Sequence, residues 1–597
     1  MLNDLSPISA LSVAEKYIGL KLPNNLFAEE TDIDGYKIVT ADNSVTIQYS
    51  KKHYFFKAVA DVCAGASSGE GKLPFEHFGV MLDCARNGVP AIEELKAFIV
   101  RLAFSGYGYL GLYLEDCFEV DGEPYFGYMR GRYSKSELSE IVEFASVFGI
   151  EIVPYIQTLA HLYGIFHHWE HYTATVRDFG DILLIGEKRT YELIENMLRT
   201  VSEVFSSKRI NLGMDEAFMM LLGKYRDING IADRAAAFSY HVERVCALCR
   251  KYGLSPSVWA DMFLSHVSSE KLKIPNDLTL VAWSYACKEE QDYEKQLNAA
   301  AKLTDKIYFA SAAHKWYGYA PLNEFTDFTA LPALKAAKGR VKDFCLTLWG
   351  DDGAECSYNA VWYSLLNVAS KAYGQAQMNS EVITGYSPKE LLCMDLPNKV
   401  FDEPMDKEVN VSKYALFEDV FYGLSDRRSS ERFTEYFERN EKILNSLAAK
   451  KGPFRYLYSE YAALCGVLKL KTGLRQKLIA AYKSGDKVAL SGYADTLGKI
   501  LKKLTALKKL IETQWLKDYK PFGIEVQQIR LAGLSERLKF CRNKLNDYAV
   551  GKISKIAELE EDDLAPVLSG DNYTDALRFN SYEQNVSYGM ISHKLFN

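Results

Sequence analysis

Residues 209–221 read RINLGMDEAFMML: a short apolar run, a glycine, two adjacent acids and a second apolar stretch. The carboxylates of Asp215 and Glu216 oppose each other's ionisation because they are neighbouring like charges. Such a pair in an apolar setting costs stability, so its presence suggests a function. The run before the pair has the length and composition of a buried strand, so the stretch is typical of a strand that ends in a polar corner.

Short apolar runs like the one before the acid pair occur eight times along the chain. Most of them are followed by a loop and an amphipathic helix. Near-continuous apolar strands that alternate with helices predict a parallel sheet covered on both faces. Eight such units predict an α/β fold of the (β/α)8 TIM-barrel type. A doubly wound open sheet usually has fewer strands and a Gly-rich phosphate loop after the first strand, which FGVMLDCARNGV lacks. The eight runs are 78–85, 107–116, 150–158, 209–216, 255–262, 278–285, 307–313 and 342–352.

A small module precedes these runs and a helical region follows them. GYKIVTADNSVTIQYSKKHYFF (35–56) predicts two or three strands around the DNS turn, and KAVADVCAGA (57–66) predicts a helix. After the last run the alternation of strands and helices stops. We therefore predict a small α+β domain over 1–72, the barrel over 73–372 and a mainly helical C-terminal domain over 373–597.

The helical region contains a long basic amphipathic segment, LGKILKKLTALKKLIETQWLKDY (497–519), with apolar residues at helical spacing. Such a helix can lie on a membrane. More often it packs on its own domain with its lysines in water, and we predict the latter. The next segment, KPFGIEV (520–526), is predicted to be an ordered loop or a strand.

Composition and charge argue against several classes of protein. The 597 residues include 71 Lys and Arg against 78 Asp and Glu, and the net charge of −7 lacks the basic footprint of a nucleic-acid-binding protein. We find neither a signal-peptide pattern nor an apolar run long enough for a membrane span, so we expect a cytoplasmic protein with reduced thiols. Cys246 and Cys249 have CxxC spacing, but they lie in a predicted helix where two half-buried thiols are favoured over a zinc or redox site.

Acidic and aromatic residues occur where the predicted strands end. In a (β/α)8 barrel the chemistry takes place at these C-terminal ends. Carboxylates accept hydrogen bonds from hydroxyls, and indole rings stack on the C–H faces of sugars, so the pattern favours a carbohydrate ligand. The alternative is that barrel ends need caps and that aromatic residues fill gaps. The residues concerned are Asp83, Arg86, Glu115, Asp116, Gln157, His161, Asp215, Glu216, Trp259, Asp261, Trp283, Tyr285, His314, Trp316, Trp349, Asp351 and Asp352.

At these strand ends a resemblance to a known family is visible. LGMDEAF (212–218) resembles the G-x-DE strand end of family-20 glycoside hydrolases, the β-N-acetylhexosaminidases. FGVMLDCAR (78–86) resembles their first barrel strand, VWADM (258–262) their fifth and LTLWGDDGAEC (346–356) their last. A small α+β domain also precedes the barrel in that family. The helical C-terminal part resembles a divergent, bacterial, intracellular-type branch.

The resemblance implies an exo-acting enzyme that removes terminal β-linked GlcNAc or GalNAc with retention. Such enzymes are exceptions to the rule of two catalytic carboxylates, because the 2-acetamido oxygen of the substrate attacks the anomeric carbon to form an oxazolinium ion. Glu216 would be the general acid and then the base, a role that needs a pKa raised towards neutrality. Asp215 would stay charged, accept a hydrogen bond from the acetamido N–H and stabilise the cation.

The resemblance also implies which residues bind the sugar. Trp259, Trp283 and Trp349 would form an apolar box for the acetamido methyl group, and Asp351 or Asp352 would hold sugar hydroxyls. A tyrosine would donate to the acetamido oxygen, for which Tyr308, Tyr317 and Tyr319 are the options. Trp316 and His161 complete the expected substrate-binding set.

Two positions depart from the family pattern. The first strand begins with Phe78 and Gly79, where family members usually have an Arg-Gly pair whose arginine grips the C3 and C4 hydroxyls. Arg86, Glu115 or Asp116 would have to take over this role. The substitution suggests tolerance of both C4 epimers. Asn211 stands where a histidine is usual.

Several alternatives remain open. AHLYGIFHHWEH (160–171) offers histidines for a metal hydrolase, but the order is not HExxH, and we expect neither a metal nor another cofactor. The barrel could bind glycans without catalysis, or belong to a different retaining glycosidase, or the acid pair could cap a helix. The expected partner is a small oligosaccharide or glycoconjugate with a terminal N-acetylhexosamine. We expect no nucleic acid and no membrane as partners, and a homodimer remains open.

Overall fold

The computed structural model of the chain describes residues 5–266, 272–399, 404–422 and 431–561. Its N-terminal part is a four-stranded sheet in the order β1-β3-β2-β4, against which helix α2 packs. The predicted DNS turn joins β2 to β3 through Asp42 and Asn43, which both have the positive φ angles that a tight hairpin requires. The elements are α1 (Pro7–Ala14), β1 (Leu26–Glu30), β2 (Tyr36–Ala41), β3 (Ser44–Tyr49), α2 (Lys52–Cys63) and β4 (Gly69–Gly71).

Eight parallel strands, β5 to β12, close into a barrel and confirm the predicted fold. The circuit closes where β12 pairs with β5, from Asp343 opposite His77 to Leu348 opposite Leu82. The strands are β5 (His77–Asp83), β6 (Tyr109–Tyr113), β7 (Glu151–Tyr155), β8 (Arg209–Asn211), β9 (Ser255–Trp259), β10 (Thr279–Trp283), β11 (Ile307–Ala312) and β12 (Asp343–Leu348).

Helices alternate with these strands, and local sequence signals set their ends. Helix α4 begins with a capping box in which Ser134 and Glu137 satisfy each other's backbone N–H groups, and α3 ends at Gly106 with a left-handed φ of 90°. The helices are α3 (Ile92–Ser105), α4 (Lys135–Val147), α5 (Tyr163–His168), α6 (Glu170–Thr173), α7 (Lys188–Val204), α8 (Lys224–Asn229), α9 (Arg234–Lys251), α10 (Glu290–Ala301), α11 (Asn323–Ala337), α12 (Trp362–Ala372) and α13 (Ser380–Thr384). Cys246 and Cys249 lie on α9, as the sequence predicts, but both thiols are fully buried instead of half-buried.

The described chain divides into two compact units. The first holds the N-terminal sheet and the barrel strands, in the chain up to Ala313, Thr326–Trp349 and Ser364–Gly385. The second holds two segments that follow β11 and β12 along the chain, His314–Phe325 and Gly350–Tyr363, and the helical region from Tyr386 on. The domain boundaries at residues 72 and 372 stay predictions.

The helical region confirms the predicted helical C-terminal domain. Helix α19 buries Leu497, Leu504, Leu507 and Trp515, as expected of a helix packed within its own domain. No helix in the described ranges is long and apolar enough to span a bilayer. The strand suggested for 520–526 is wrong, because α20 begins there after the left-handed Gly523. The helices are α14 (Pro388–Leu392), α15 (Val411–Phe417), α16 (Glu431–Ala449), α17 (Arg455–Lys471), α18 (Leu474–Lys483), α19 (Lys487–Asp518) and α20 (Ile524–Ala549).

A buried ionic cluster closes the N-terminal end of the barrel. The guanidinium of Arg209 pairs with Asp343 and, at 3.0 Å, with Glu151, and it lies 4.5 Å from the centre of the Tyr109 ring. The Tyr109 hydroxyl donates to Asp343 at 2.7 Å. Burial raises the pKa of Asp343 to about 6 even with Arg209 beside it. The cluster therefore depends on the arginine to keep two carboxylates compensated.

Replacing Arg209 by Met is expected to lower the free energy of unfolding by about 3–5 kcal/mol, because it leaves a buried carboxylate without a counter-ion. The measurement is the shift of the urea unfolding midpoint monitored by tryptophan fluorescence. Arg250→Met is the matched control, since Arg250 pairs with Glu243 and Asp277 at the surface and its loss should cost less than about 1 kcal/mol. Equal shifts for the two variants would contradict a stabilising role of the cluster.

Candidate active site

The backbone after β8 turns sharply just before the two acids. Gly213 has a φ of 71°, and a Cβ there would lie 1.9 Å from the side-chain oxygen of Gln157. Met214 and Glu216 also have left-handed φ angles, of 68° and 51°. Gln157 holds the turn by accepting the N–H of Met214 at 3.1 Å. This corner turns the two adjacent acids into different surroundings: Asp215 is buried, whereas the side chain of Glu216 is 43% exposed.

Asp215 is a buried carboxylate that the structure keeps ionised. Gln157 Nε2 donates to its Oδ1 at 2.8 Å, and His161 Nε2 lies 3.3 Å from its Oδ2. Burial alone would favour the neutral acid, but the charge of His161 and these hydrogen bonds hold the pKa of Asp215 below its ordinary value.

His161 lies between the two acids. Its Nε2 is 3.3 Å from Asp215 and 3.6 Å from Glu216 Oε2. Its backbone is left-handed, with a φ of 55°, and its N–H donates to Asp181 at 3.0 Å. Burial disfavours the imidazolium, yet the Asp215 carboxylate outweighs it and raises the pKa of His161 to about 9. The ring is therefore cationic at neutral pH.

A third carboxyl group, Asp261, fixes the backbone of Glu216. Asp261 Oδ2 accepts the N–H of Glu216 at 2.9 Å, and its Oδ1 accepts the indole N–H of Trp283 at 3.4 Å. Burial and the negative charge of Asp215 raise the pKa of Asp261 to about 7. The position of Glu216 thus depends on a residue two places beyond the end of β9.

A chain of polar contacts runs from Gln157 to the ends of β5 and β6. Gln157 Nε2 lies 3.0 Å from the Tyr113 hydroxyl, which donates to Glu115 Oε1 at 2.9 Å. Arg86 lies 3.2 Å from both Glu115 and Asp83. Burial raises the pKa of Glu115 to about 7 in spite of Arg86. Asp116 pairs with a different arginine, Arg130, at 3.0 Å.

Aromatic rings form an apolar wall next to these acids. The ring centres of Trp259 and Trp349 are 5.9 Å apart, and Trp283 stacks on Tyr285 with the ring centres 5.0 Å apart. Tyr113 meets Trp349 edge-on at 4.8 Å. The structure thus brings together the three tryptophans expected to surround an acetamido methyl group. The hydroxyl of Tyr285 is hydrogen-bonded to Trp349 and Thr347, and burial raises its pKa.

The prediction that Tyr308 donates to a ligand is wrong. Tyr308 is the second residue of β11, and the guanidinium of Arg209 lies 5.8 Å from its ring. It therefore lies at the N-terminal end of the barrel, whereas Asp215 lies beyond the C-terminal end of β8. Tyr285, which comes after β10, stacks on Trp283 of the wall.

The remaining predicted residues belong to the second unit, where their ligand contacts stay predictions. Asp352 is held by Lys413 at 2.5 Å and by Arg530 at 3.0 Å, so its carboxylate takes part in a buried ionic network. Asp351 is partly exposed in the same loop. The other members are aromatic: Trp316 stacks on His314 and Tyr317, and the hydroxyl of Tyr319 donates to Gln527.

Sequence reasoning recognises some strand-end residues without their roles. Gln157, Asp261 and Tyr285 stand at predicted strand ends, but nothing in their spacing indicates contacts with the acid pair. Tyr113 is the last residue of β6, but in the sequence it lies inside the apolar run 107–116 and gives no signal. In the described part of the chain, no three His, Cys, Asp or Glu side chains are grouped as a metal site requires. The side chains of His167 and His168 lie outside that part.

The chain matches two sequence families. Residues 75–350 match the family described as glycosyl hydrolase family 20, catalytic domain, and residues 390–574 match the glycoside hydrolase 20C C-terminal domain.

Individual relatives are distant. Human hexosaminidase D is 24% identical over 230 residues, which cover 36% of this chain and 46% of that protein. A beta-hexosaminidase of Akkermansia muciniphila is 22% identical over 215 residues, covering 30% of this chain and 43% of that one. The chain thus spans about half the length of the curated relatives it matches. Among solved structures, a family-20 exo β-N-acetylglucosaminidase from Vibrio harveyi has 15% identity and a TM-score of 0.48, over 62% of this chain and 68% of that one.

The charge on His161 predicts a pH-dependent contribution to stability. Its folded pKa of about 9 lies above the ordinary value of 6.5, so the contribution is complete below pH 6.5 and is lost as the pH rises through 9. His161→Gln should therefore destabilise most near pH 6, by up to about 3 kcal/mol, and progressively less towards pH 9.5. Thermal unfolding of both proteins across this range measures the difference.

His241→Gln is the matched control. His241 is buried and burial lowers its pKa to about 4, so its neutral form is favoured and its contribution falls as the pH drops below 6.5. The destabilisation by His161→Gln should shrink as the pH rises from 6.5 to 9, whereas the destabilisation by His241→Gln should be constant there and shrink only as the pH falls from 6.5 to 4. A destabilisation by His161→Gln that does not change with pH would contradict the cationic state of His161.

Proposed function

Because the chain belongs to glycoside hydrolase family 20, we propose that it is an exo-acting β-N-acetylhexosaminidase. It hydrolyses terminal β-linked N-acetylhexosamine with retention, and the acetamido group of the substrate is the nucleophile. The observation that carries this proposal is the different surroundings of Asp215 and Glu216. One acid is buried and ionised, and the side chain of the other is 43% exposed.

The first half-reaction uses both acids. Glu216 donates a proton to the glycosidic oxygen while the bond from that oxygen to the anomeric carbon breaks. The acetamido oxygen bonds to the anomeric carbon and forms an oxazolinium ion. Asp215 accepts a hydrogen bond from the acetamido N–H, and its negative charge stabilises the developing cation. A carboxylate already oriented by Gln157 needs no rearrangement for this step.

The second half-reaction reverses the proton transfer. The Glu216 carboxylate takes a proton from water, the water oxygen bonds to the anomeric carbon, and the bond to the acetamido oxygen breaks. His161 stays close to both acids throughout and keeps Asp215 charged. The hydrogen bond from the Glu216 N–H to Asp261 keeps Glu216 in place through both steps.

Recognition of the sugar hydroxyls is assigned to the chain Asp83–Arg86–Glu115 and to Asp116. Phe78, where the sequence resemblance places an arginine, is the second residue of β5 and stacks on Tyr107 with the ring centres 4.7 Å apart. It therefore lies towards the N-terminal end of the barrel, away from the acid pair. Arg86 is the arginine that lies beside Tyr113 and Trp349. Because it already pairs with Asp83 and Glu115, the proposed grip on the C4 hydroxyl is shared among several groups, which supports acceptance of both epimers.

Chromophore release from aryl β-N-acetylglucosaminide and aryl β-glucoside tests the reaction type. We expect turnover of the acetamido sugar alone, and Glu216→Gln should lower kcat by about 10²–10⁴ because it removes the general acid and base. Asp215→Asn should lower kcat and also weaken inhibition by a thiazoline that mimics the oxazolinium ion. Glu192→Gln, at a partly exposed side chain of α7, is the control and should behave like the wild type. Turnover of the plain glucoside would mean that a protein carboxylate is the nucleophile.

The epimer prediction is tested with aryl β-N-acetylgalactosaminide. The values of kcat/KM for the two C4 epimers should agree within about tenfold, whereas a site built around one C4 hydroxyl discriminates by orders of magnitude. Arg86→Lys should reduce both values together, because Arg86 serves both epimers in this arrangement. A strong preference for one epimer would refute the shared recognition.

A further inference from the structure

Four aromatic rings form a cluster on the loops that come after β6 and β7. We define Tyr125, Tyr128, Trp169 and Tyr172 as the aromatic platform. The ring centre of Tyr125 lies 5.2 Å from that of Trp169 and 5.4 Å from that of Tyr172. The ring centres of Tyr128 and Trp169 are 5.3 Å apart. Tyr125 and Tyr128 are 44% and 42% exposed, so the cluster presents ring surface to solvent instead of filling a core.

Buried polar contacts hold the platform in place. Glu123, which is only 1% exposed, accepts hydrogen bonds from Asn196 and from Arg189. The same guanidinium group donates to the Tyr172 hydroxyl at 3.4 Å and lies 5.9 Å from the Tyr172 ring. The loop that carries Tyr125 and Tyr128 is closed at its ends by a β-bridge between residues 118 and 133. These contacts pre-organise the rings, which lowers the entropic cost of binding a ligand.

The platform adjoins the proposed active site. Gly127 packs so closely on the backbone oxygen of Asp116 that a Cβ there would lie 1.9 Å away. Arg130, two residues after Tyr128, donates to Asp116 at 3.0 Å and to the backbone oxygen of Ala85 at 2.7 Å. Asp116 and Ala85 are the chain neighbours of Glu115 and Arg86.

The platform also lies shortly after His161 along the chain. Helix α5 (Tyr163–His168) separates His161 from Trp169, and its six residues span about 9 Å. Because His161 lies 3.6 Å from Glu216, the rings begin a short distance outside the point where the glycosidic bond would be cleaved.

We propose that the aromatic platform binds the sugar residues on the leaving-group side of a β-linked oligosaccharide, an inference that rests on the proposed function. An exo-acting enzyme buries the terminal sugar, so the rest of the substrate must leave through the opening where Glu216 is exposed. Tyrosine and tryptophan rings offer flat faces for pyranose C–H groups and polar edges for hydroxyls. Three of the four rings carry hydroxyl groups, which fits a sugar better than a wholly apolar partner.

The test compares substrates that share the terminal sugar and differ only in the group attached to its anomeric oxygen. An aryl β-N-acetylglucosaminide has no second sugar, whereas β-1,4-linked N-acetylglucosamine di-, tri- and tetrasaccharides extend over the platform. Tyr128→Ala and Trp169→Ala should each lower kcat/KM for the tri- and tetrasaccharide about three- to tenfold, mainly through KM. Turnover of the aryl substrate should not change.

Two controls separate ring stacking from disturbed folding. Tyr128→Phe keeps the ring face and should retain most of the wild-type KM for the tetrasaccharide. Tyr240→Ala removes a similarly exposed tyrosine, 47% exposed, from α9 (Arg234–Lys251). It should change kcat/KM for neither the aryl substrate nor the tetrasaccharide. A tetrasaccharide KM that is the same in wild type and both alanine variants, or an equal loss on the aryl substrate, would overturn the inference.

The outcomes also separate this inference from its premise. A wild-type protein that cleaves no acetamido sugar would refute the proposed function, and the inference would fall with it. If the wild type cleaves the aryl substrate but kcat/KM does not rise with the length of the oligosaccharide, the sugar-binding role of the platform is refuted and the proposed function stands. Loss of self-association in Trp169→Ala, measured by sedimentation and without an effect on oligosaccharide KM, would assign the rings to a protein contact instead.

Discussion

The ionised carboxylate of Asp215 is the constraint on which the arrangement of the site depends. A buried charge is costly unless it is paired and hydrogen-bonded, and burial alone would protonate this acid. His161 supplies the countercharge and Gln157 supplies the hydrogen bond. Gln157 can face Asp215 because Tyr113 lies on its other side, and Tyr113 is oriented in turn by Glu115. One charge therefore determines the side chains at the ends of three neighbouring strands.

The backbone adopts strained φ angles so that Asp215 is buried while the adjacent Glu216 is exposed. Left-handed φ angles at Met214 and Glu216 are unfavourable for residues with side chains, and Gly213 is required because any Cβ would collide with Gln157. The hydrogen bonds that offset this strain come from Gln157 and Asp261, which also orient the two acids. The same contacts thus hold the strained corner and orient the proposed catalytic pair.

The sequence predicts the barrel and the acid pair because both leave local signals. Apolar runs mark each strand, and the chemistry of a barrel is confined to the ends of those runs. It does not predict which tyrosine lies by the tryptophans, since Tyr308 and Tyr285 differ by position along a strand and not by composition. The partners of Asp352, Lys413 and Arg530, are distant in sequence and leave no local trace. The start of α20 escapes prediction because Pro521 and Gly523 are typical of loops, although such residues also precede helices.

The charge of the site is adjustable near neutral pH. Five acids, Asp83, Glu115, Asp215, Glu216 and Asp261, are grouped with two cations, Arg86 and His161. Full ionisation would leave a large uncompensated negative charge, and the pKa values of about 7 for Glu115 and Asp261 relieve it, because both acids bind protons in the range where an enzyme works. Asp215 stays ionised in this group, because His161 and the hydrogen bonds to its carboxylate hold its pKa below the ordinary value. An ionised carboxylate at this place is what the proposed mechanism requires, because positive charge would develop on the acetamido group beside it.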